Sequence, residues 1–218
     1  MINCPLCNSN DLLEFDIISE NIYLKCEKCH LIFKHPQHHL NKSEELKRYS
    51  FHQNNIKDEG YIKFLDQIIN PALEYIDVQM TGLDFGCGPD PVLAQLLKNR
   101  NISCDFYDPY FFPETDNNRK YDFIFATECF EHFFKPAKEI TTISKTLNNN
   151  GILAVMTEFY SQKQYFKDWY YIKDPTHVCF YNLDVFDFIC TEFGFKKLFT
   201  DNKRVVILKN LKIKDRKV

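Results

Sequence analysis

The chain has 218 residues, enough for one ordinary domain and a small appendage. Its apolar share of 44% can fill a core, yet no apolar run approaches the ~20 residues of a membrane helix. A formal net charge of −3 gives no general reason to expect nucleic acid as a partner. The first residues carry no signal-peptide pattern. Nine cysteines in that context predict a reducing, cytoplasmic setting in which thiols serve metal binding or packing.

The chain opens with Cys4-Pro5-Leu6-Cys7 and, eighteen residues later, Cys26-Glu27-Lys28-Cys29. Two C-x-x-C knuckles at this interval can present four thiolates tetrahedrally, the pattern of a structural Zn2+ site. Leu12 to Phe15 and Ile22 to Leu24 read as short strands between them, so residues 1–40 are expected to form a small zinc ribbon. Four cysteines already complete a site, so His30, His35, His38 and His39 are expected to decorate a surface loop. Chelation is expected to unfold the ribbon and to spare the domain that follows.

Residues 41–80 read as a helical bridge. Asn41 to Ser50 is polar and helical, and Ile56, Phe64, Leu65, Ile68 and Ile69 give one apolar helical face. Asn70-Pro71 reads as a fresh helix start.

Thr81 to Phe85 is the first strand of the main domain, residues 81–210, and it runs into Gly86-Cys87-Gly88-Pro89-Asp90-Pro91. Glycines let a backbone approach a ligand closely. Asp90 suits an N-cap and Pro91 a first helical position, ahead of Val92, Leu93, Leu96 and Leu97 at helical spacing. A dinucleotide fingerprint wants a third glycine where Pro91 stands. Ile102 to Tyr107 is a second strand ending at Asp108, 20 residues after Gly88, where a doubly wound sheet sets a carboxylate against ribose hydroxyls.

The stretch Leu83-Asp84-Phe85-Gly86-Cys87-Gly88-Pro89-Asp90 resembles the first motif of the class I SAM-dependent methyltransferases, with Asp84 two positions before the first glycine. The resemblance implies an α/β fold with a Rossmann-like sheet, S-adenosylmethionine as cofactor, and a cofactor site of Asp84, Phe85, Gly86, Cys87, Gly88, Pro89, Asp108 and Glu128. Members of the class commonly have a helix and a third strand after the ribose acid. Here Pro109 to Lys120 is too short for both, so the third strand is expected to be missing or vestigial, and Tyr110, Phe111 or Phe112 are offered for the adenine. Helices ahead of the first strand often fold over the cofactor in this class, which makes His52, Gln53 and Tyr61 candidate lid residues.

Tyr121 to Ala126 is a buried strand, and the run YDFIFATECFEHF resembles the fourth motif of the small-molecule methyltransferases. That likeness sets Glu128 near the cofactor and Glu131-His132 at the mouth of the site. Pro136 to Leu147 is helical, Asn148 to Gly151 a turn, and Ile152 to Met156 a strand. An aromatic stretch from Tyr160 to Tyr171 leads to Asp174-Pro175-Thr176-His177. The pattern W-x-Y, D-x-T-H, F-Y resembles a subset of bacterial methyltransferases with an N-terminal zinc ribbon. Asn182 caps a helix that Gly194 stops, and Phe195 to Thr200 with Val205 to Lys209 form a closing hairpin. Residues 211–218 are a basic tail.

The expected activity is methyl transfer from SAM to a small-molecule hydroxyl or amine. The alternatives are an RNA methyltransferase guided by the ribbon, and a ribbon-borne interaction protein whose methyltransferase domain is inactive. Of seven histidines, His132 and His177 are placed at the carboxyl edge of the sheet. His177 is expected to act as base with Asp174 as its orienting carboxylate, and His132 to contact the acceptor.

Overall fold

The computed structural model describes residues 2–51, 55–114 and 119–211. His52 and Gln53 lie outside them, as do Lys212, Lys214, Arg216 and Lys217 of the basic tail. The described residues form two sheets.

The main sheet contains β4 (Thr81–Phe85), β5 (Ser103–Tyr107), β6 (Tyr121–Thr127), β7 (Leu147–Met156), β9 (Phe195–Thr200) and β10 (Val205–Asn210). Their spatial order is β5-β4-β6-β7-β10-β9. The first four run parallel, and β10 enters antiparallel to both β7 and β9. β5 is the edge. Among the described residues no strand follows it where a third would lie, and the chain instead turns back through a bridge between Asp108 and Phe112. This is the Rossmann-like sheet without its third strand.

Alternation along the strands splits the core into two faces. Phe123, Phe125, Ala154, Met156 and Ile207 pack on α2 (Glu59–Ala72) and α3 (Val92–Lys98). Ile124, Ala126, Leu153, Val155, Val206 and Leu208 pack on α4 (Pro136–Thr146) and α6 (Leu183–Phe193). Asn182 accepts from the Val185 amide at the start of α6, and Gly194 ends it at φ 77°.

Local readings hold with three adjustments. Pro71 does not start a helix. It sits in the last turn of α2, where its missing N–H gives up one bond while Ile68, Ile69 and Ala72 stay buried. Pro91 rather than Asp90 occupies the N-cap of α3, and no side chain caps that end. Asn148 to Gly151 is a bulge inside β7, with the register jumping from Tyr121↔Leu147 to Phe123↔Ile152 and Asn150 at φ 62°.

The N-terminal sheet joins β1 (Leu12–Ile18), β2 (Asn21–Cys26) and β3 (Ile32–Lys34) antiparallel. A fourth strand, β8 (Cys179–Phe180), arrives from far along the chain and pairs Ile32↔Phe180 and Phe33↔Cys179. Cys4, Leu6, Cys26, Cys29, Leu31 and Phe33 belong to the same core as Phe130, Val178 and Tyr181. The aromatic stretch, which includes the short α5 (Lys163–Phe166), packs mainly on the other side of this sheet, through Phe166, Tyr171 and Ile172 against Phe15, Tyr23 and Ile32. α1 (Lys42–Tyr49) leaves the sheet with a capping box between Asn41 and Glu44.

Candidate active site

The turn after β4 is built for close approach. Gly86 and Gly88 have φ of 80° and 69°, and a Cβ on Gly86 would meet the Cys129 Cβ at 2.8 Å. The Gly86 and Cys87 amides donate to the Tyr107 carbonyl, locking the turn to the end of β5. Asp108 sits directly behind it. One of its oxygens accepts from the Gly88 amide at 3.0 Å, and the other accepts from the amides of Tyr110 and Phe111. Asp84 is 3% exposed, and burial pushes its carboxyl up to about 7.

Two cavities meet at this turn. One, of about 620 Å³, is lined by Tyr61, Asp84, Asp90, Glu131, Tyr171 and His177 among others. The other, of about 570 Å³, is lined by Phe85, Pro89, Asp108, Tyr110 and Phe111 among others. Gly86, Gly88, Glu128 and His132 line both. Phe112 is turned away, edge-on to Phe106 at 4.9 Å.

At the carboxyl end of β6 the chain turns sharply, with Glu128 at φ 49° and its amide bonded to the Met156 carbonyl. Burial first, and the charge of Glu131 second, raise the Glu128 carboxyl well above its ordinary value. Its Oε2 accepts from the Tyr171 hydroxyl at 3.3 Å, while Oε1 has no partner. Glu131 is 0% exposed, and neither of its oxygens has a hydrogen-bond partner.

His132 and His177 come together, ring centroids 4.8 Å apart. His132 Nδ1 lies 3.1 Å from the Thr176 carbonyl, and His177 Nδ1 lies 2.6 Å from the Tyr171 carbonyl. A carbonyl oxygen only accepts, so each Nδ1 carries a proton and Nε2 is the nitrogen left to meet a ligand. Burial pushes the His177 imidazole down to about 4.

Asp174 does not pair with His177. Its Oδ2 accepts from Nε and Nη2 of Arg48, and its Oδ1 accepts from the Thr176 amide and hydroxyl. Burial works to raise this carboxyl, but those bonds outweigh it and hold it well below the usual range. The expected base–orienter pair is therefore replaced by His177 and a backbone carbonyl. Arg48 and Tyr49 of α1 escaped the sequence reading. Tyr49 packs edge-on to His132 at 5.4 Å, and Tyr110 donates to Glu45 at 2.7 Å. Nothing in a polar helix ahead of the domain marks these residues. Tyr171 was hidden among other aromatics, and Glu131 was placed at the mouth without a role.

The four N-terminal cysteines converge, all sulfurs within 4.8 Å of one another, with Cys4–Cys29 and Cys7–Cys26 each at 3.4 Å. The two knuckles repeat one geometry. Asn8 (φ 58°) donates its amide to the Cys4 carbonyl, and His30 (φ 63°) donates to that of Cys26. His30 is thus a turn residue. His39 stacks on Phe134 and reaches the Lys34 carbonyl, and His35 accepts from the Gln37 amide.

A family described as a methyltransferase domain matches residues 57–198. No curated protein matches the sequence. Several solved structures are similar to this chain over part of their length. An O-methyltransferase family protein from Burkholderia thailandensis is 10% identical, with TM-score 0.48 over 75% of this chain and 61% of that one. A SAM-dependent methyltransferase from Thermotoga maritima, a possible histamine N-methyltransferase, is 14% identical, with TM-score 0.47 over 78% and 96%. A chain in the complex of the Haloferax volcanii Trm112 methyltransferase activator with a putative methyltransferase is 12% identical, with TM-score 0.50 over 71% and 93%. This chain spans 53 to 61% of the length of four larger structures it resembles, the Burkholderia protein among them. At 12% identity the likeness to the Haloferax chain speaks to the fold alone. With well over half of its length matched, the chain belongs to the methyltransferase-domain family and carries the fold of a SAM-dependent methyltransferase.

Proposed function

We propose that the protein transfers a methyl group from SAM to a small-molecule hydroxyl or amine. The observation that carries this reading is the pair of cavities that share Gly86, Gly88, Glu128 and His132. One holds the ribose acid and aromatic rings, and the other holds polar groups able to receive an acceptor.

The residues fit the cofactor. Gly86 lines both cavities without a side chain, and Glu128 Oε1 is a buried acceptor without a partner. Phe85, Gly86, Cys87, Gly88 and Pro89 would cradle it, Asp108 would take the ribose, Tyr110 or Phe111 the adenine, and Asp84 with Glu128 the amino-acid end. Bound SAM supplies an electrophilic methyl on a sulfonium. The chain orients the acceptor in line and excludes water. His132 and His177 line the acceptor-side cavity, where a departing proton can be received. Tyr170 and Tyr171, which line the same cavity, offer ring faces to a cation.

The cysteine cluster fits Zn2+. A tetrahedral ion with Zn–S of ~2.3 Å sets sulfurs ~3.8 Å apart, close to the separations here. All four ligands come from cysteine, so the ion would be structural.

The test is incubation with methyl-labelled SAM and fractionated cell extract. Label in small molecules supports the reading. Label in RNA instead favours the RNA alternative, and stoichiometric SAM binding without turnover on any fraction favours an inactive domain.

A further inference from the structure

Glu131 is the anomaly of the site. A carboxylate removed from water is costly unless paired with a cation or hydrogen-bonded. Glu131 is wholly buried, and no hydrogen bond reaches either oxygen. The Tyr171 hydroxyl lies beside Glu131 and is shared with Glu128 Oε2 at 3.3 Å and the Thr157 hydroxyl at 3.1 Å. Facing Glu131 are His132, whose Nε2 lies 4.0 Å from Glu131 Oε1, and His177. A carboxylate oxygen of Glu131 and one ring nitrogen each from His132 and His177 all lie within 4.8 Å of one another. A positive charge among these groups offsets the buried carboxylate, and a proton on His132 or a bound cation can supply it.

The geometry points to a divalent metal site: we propose that Glu131, His132 and His177 bind a first-row transition-metal ion at the acceptor end of the cavity. Two imidazoles and a carboxylate form a mixed nitrogen and oxygen donor set that suits such ions. Bonds of ~2.0–2.2 Å place ligands ~3–4.4 Å apart across the ion, so the cluster closes on one with side-chain shifts of under about 1 Å. The supporting shell is in place as well. Each histidine is fixed by an Nδ1–H bond to a backbone carbonyl, Thr176 for one and Tyr171 for the other. Such bonds set the tautomer that leaves Nε2 free for a metal. The backbone agrees too, since the Val178 amide donates to the Glu131 carbonyl at 2.8 Å and ties the two ligand segments together. Three protein ligands leave positions open to the cavity, unlike the closed cysteine cluster.

The role of the ion rests on the methyl-transfer reading and narrows it. The acceptor is then a hydroxyl compound whose oxygen ligates the metal. Coordination lowers the hydroxyl pKa, as it does for bound water. The proton leaves to solvent, the oxygen lone pair forms the new O–CH3 bond, and the C–S bond breaks with its electron pair going to sulfur. His177 is a ligand in this scheme and not the base.

The test counts metal on the full-length protein. Samples are equilibrated with Zn2+ or with Mn2+, and metal per chain is measured by elemental analysis. Mn2+ binding is read independently from loss of the free-ion EPR signal. Beyond the zinc of the cysteine cluster, the wild type should take up one further ion. Glu131→Gln and His132→Asn should each keep the cluster zinc and bind Mn2+ roughly tenfold or more weakly. Circular dichroism checks that they fold, and His132, nearer the surface, serves if Glu131→Gln does not. SAM affinity is measured by calorimetry on the same samples. A wild type that takes up no second ion of either metal overturns the site, as do variants that bind Mn2+ like the wild type. With SAM binding intact, that result leaves the methyltransferase reading standing. A second ion without any SAM binding supports the site and rejects methyl transfer.

Discussion

Lys34, in the last position of β3, donates its ammonium to the carbonyl of Pro175 at 3.0 Å, two residues before His177. The Lys34 amide donates to the Val178 carbonyl at 2.8 Å. The N-terminal sheet therefore grips the segment that carries His177 from both sides. Burial of the Lys34 ammonium pushes its pKa down to about 8, a cost that persists because the contact is made. Lys34→Met keeps the aliphatic stem and removes the donor. It is expected to lose about 1–3 kcal/mol of stability, because the Pro175 carbonyl is left unpaired. Methyl transfer should slow more than SAM binding weakens. Denaturant melts and calorimetry check both, and unchanged stability would reject the grip.

If the cysteine cluster holds zinc as proposed, removing the ion should reach further than the N-terminal sheet. Cys4, Cys26 and Cys29 share a core with Val178, Cys179 and Tyr181, and β8 completes the N-terminal sheet. Metal binding and folding are coupled in such modules. Chelation is thus expected to loosen residues 174–181, revising the expectation that the main domain would be spared. Hydrogen exchange is the measurement. The Val178 amide should lose protection on chelation while the amides of β4 and β6 keep theirs.

Asp108 ties together Gly88, Tyr110 and Phe111 while facing the second cavity. Asp108→Ala should weaken SAM binding by about 1–3 kcal/mol, since it removes a charged acceptor from ribose and turn alike. Asp108→Asn keeps one acceptor oxygen and should fall between. Calorimetry giving wild-type affinity for Asp108→Ala would remove the residue from the cofactor site.

Asp84 predicts a pH dependence. Its folded-state pKa is raised by burial from 3.8 to about 7. Between these values the folded chain holds a proton that the unfolded chain has released. Stability of the SAM-free protein should therefore fall as pH rises across that window. Asp84→Asn should lack this decline and bind SAM less tightly. Paired urea melts from about pH 5 to about pH 8 read the difference. Parallel profiles for the two proteins would mean that Asp84 is ionised throughout.

The sequence alone determined the parts whose cause is local. Two C-x-x-C knuckles, the Gly86-Cys87-Gly88 turn, Asp108 at the end of its strand and the Asn182 and Gly194 caps each follow from neighbours a few residues away, or from one regular unit of strand, turn and helix. The shortness of Pro109 to Lys120 likewise argues against a full third strand, and none lies there among the described residues. What the tertiary structure decided are the pairings between distant segments. β8 is two residues long and gains strand character only from β3. Arg48 takes Asp174 from 126 positions away, so the Asp174–His177 pair suggested by adjacency in sequence does not form. Glu131, His132 and His177 converge only because the carboxyl end of β6 faces the strand that the N-terminal sheet holds in place. Spacing along a chain fixes which way neighbouring side chains point. Which distant side chains then meet depends on how whole elements bury their apolar faces, and no single stretch encodes that.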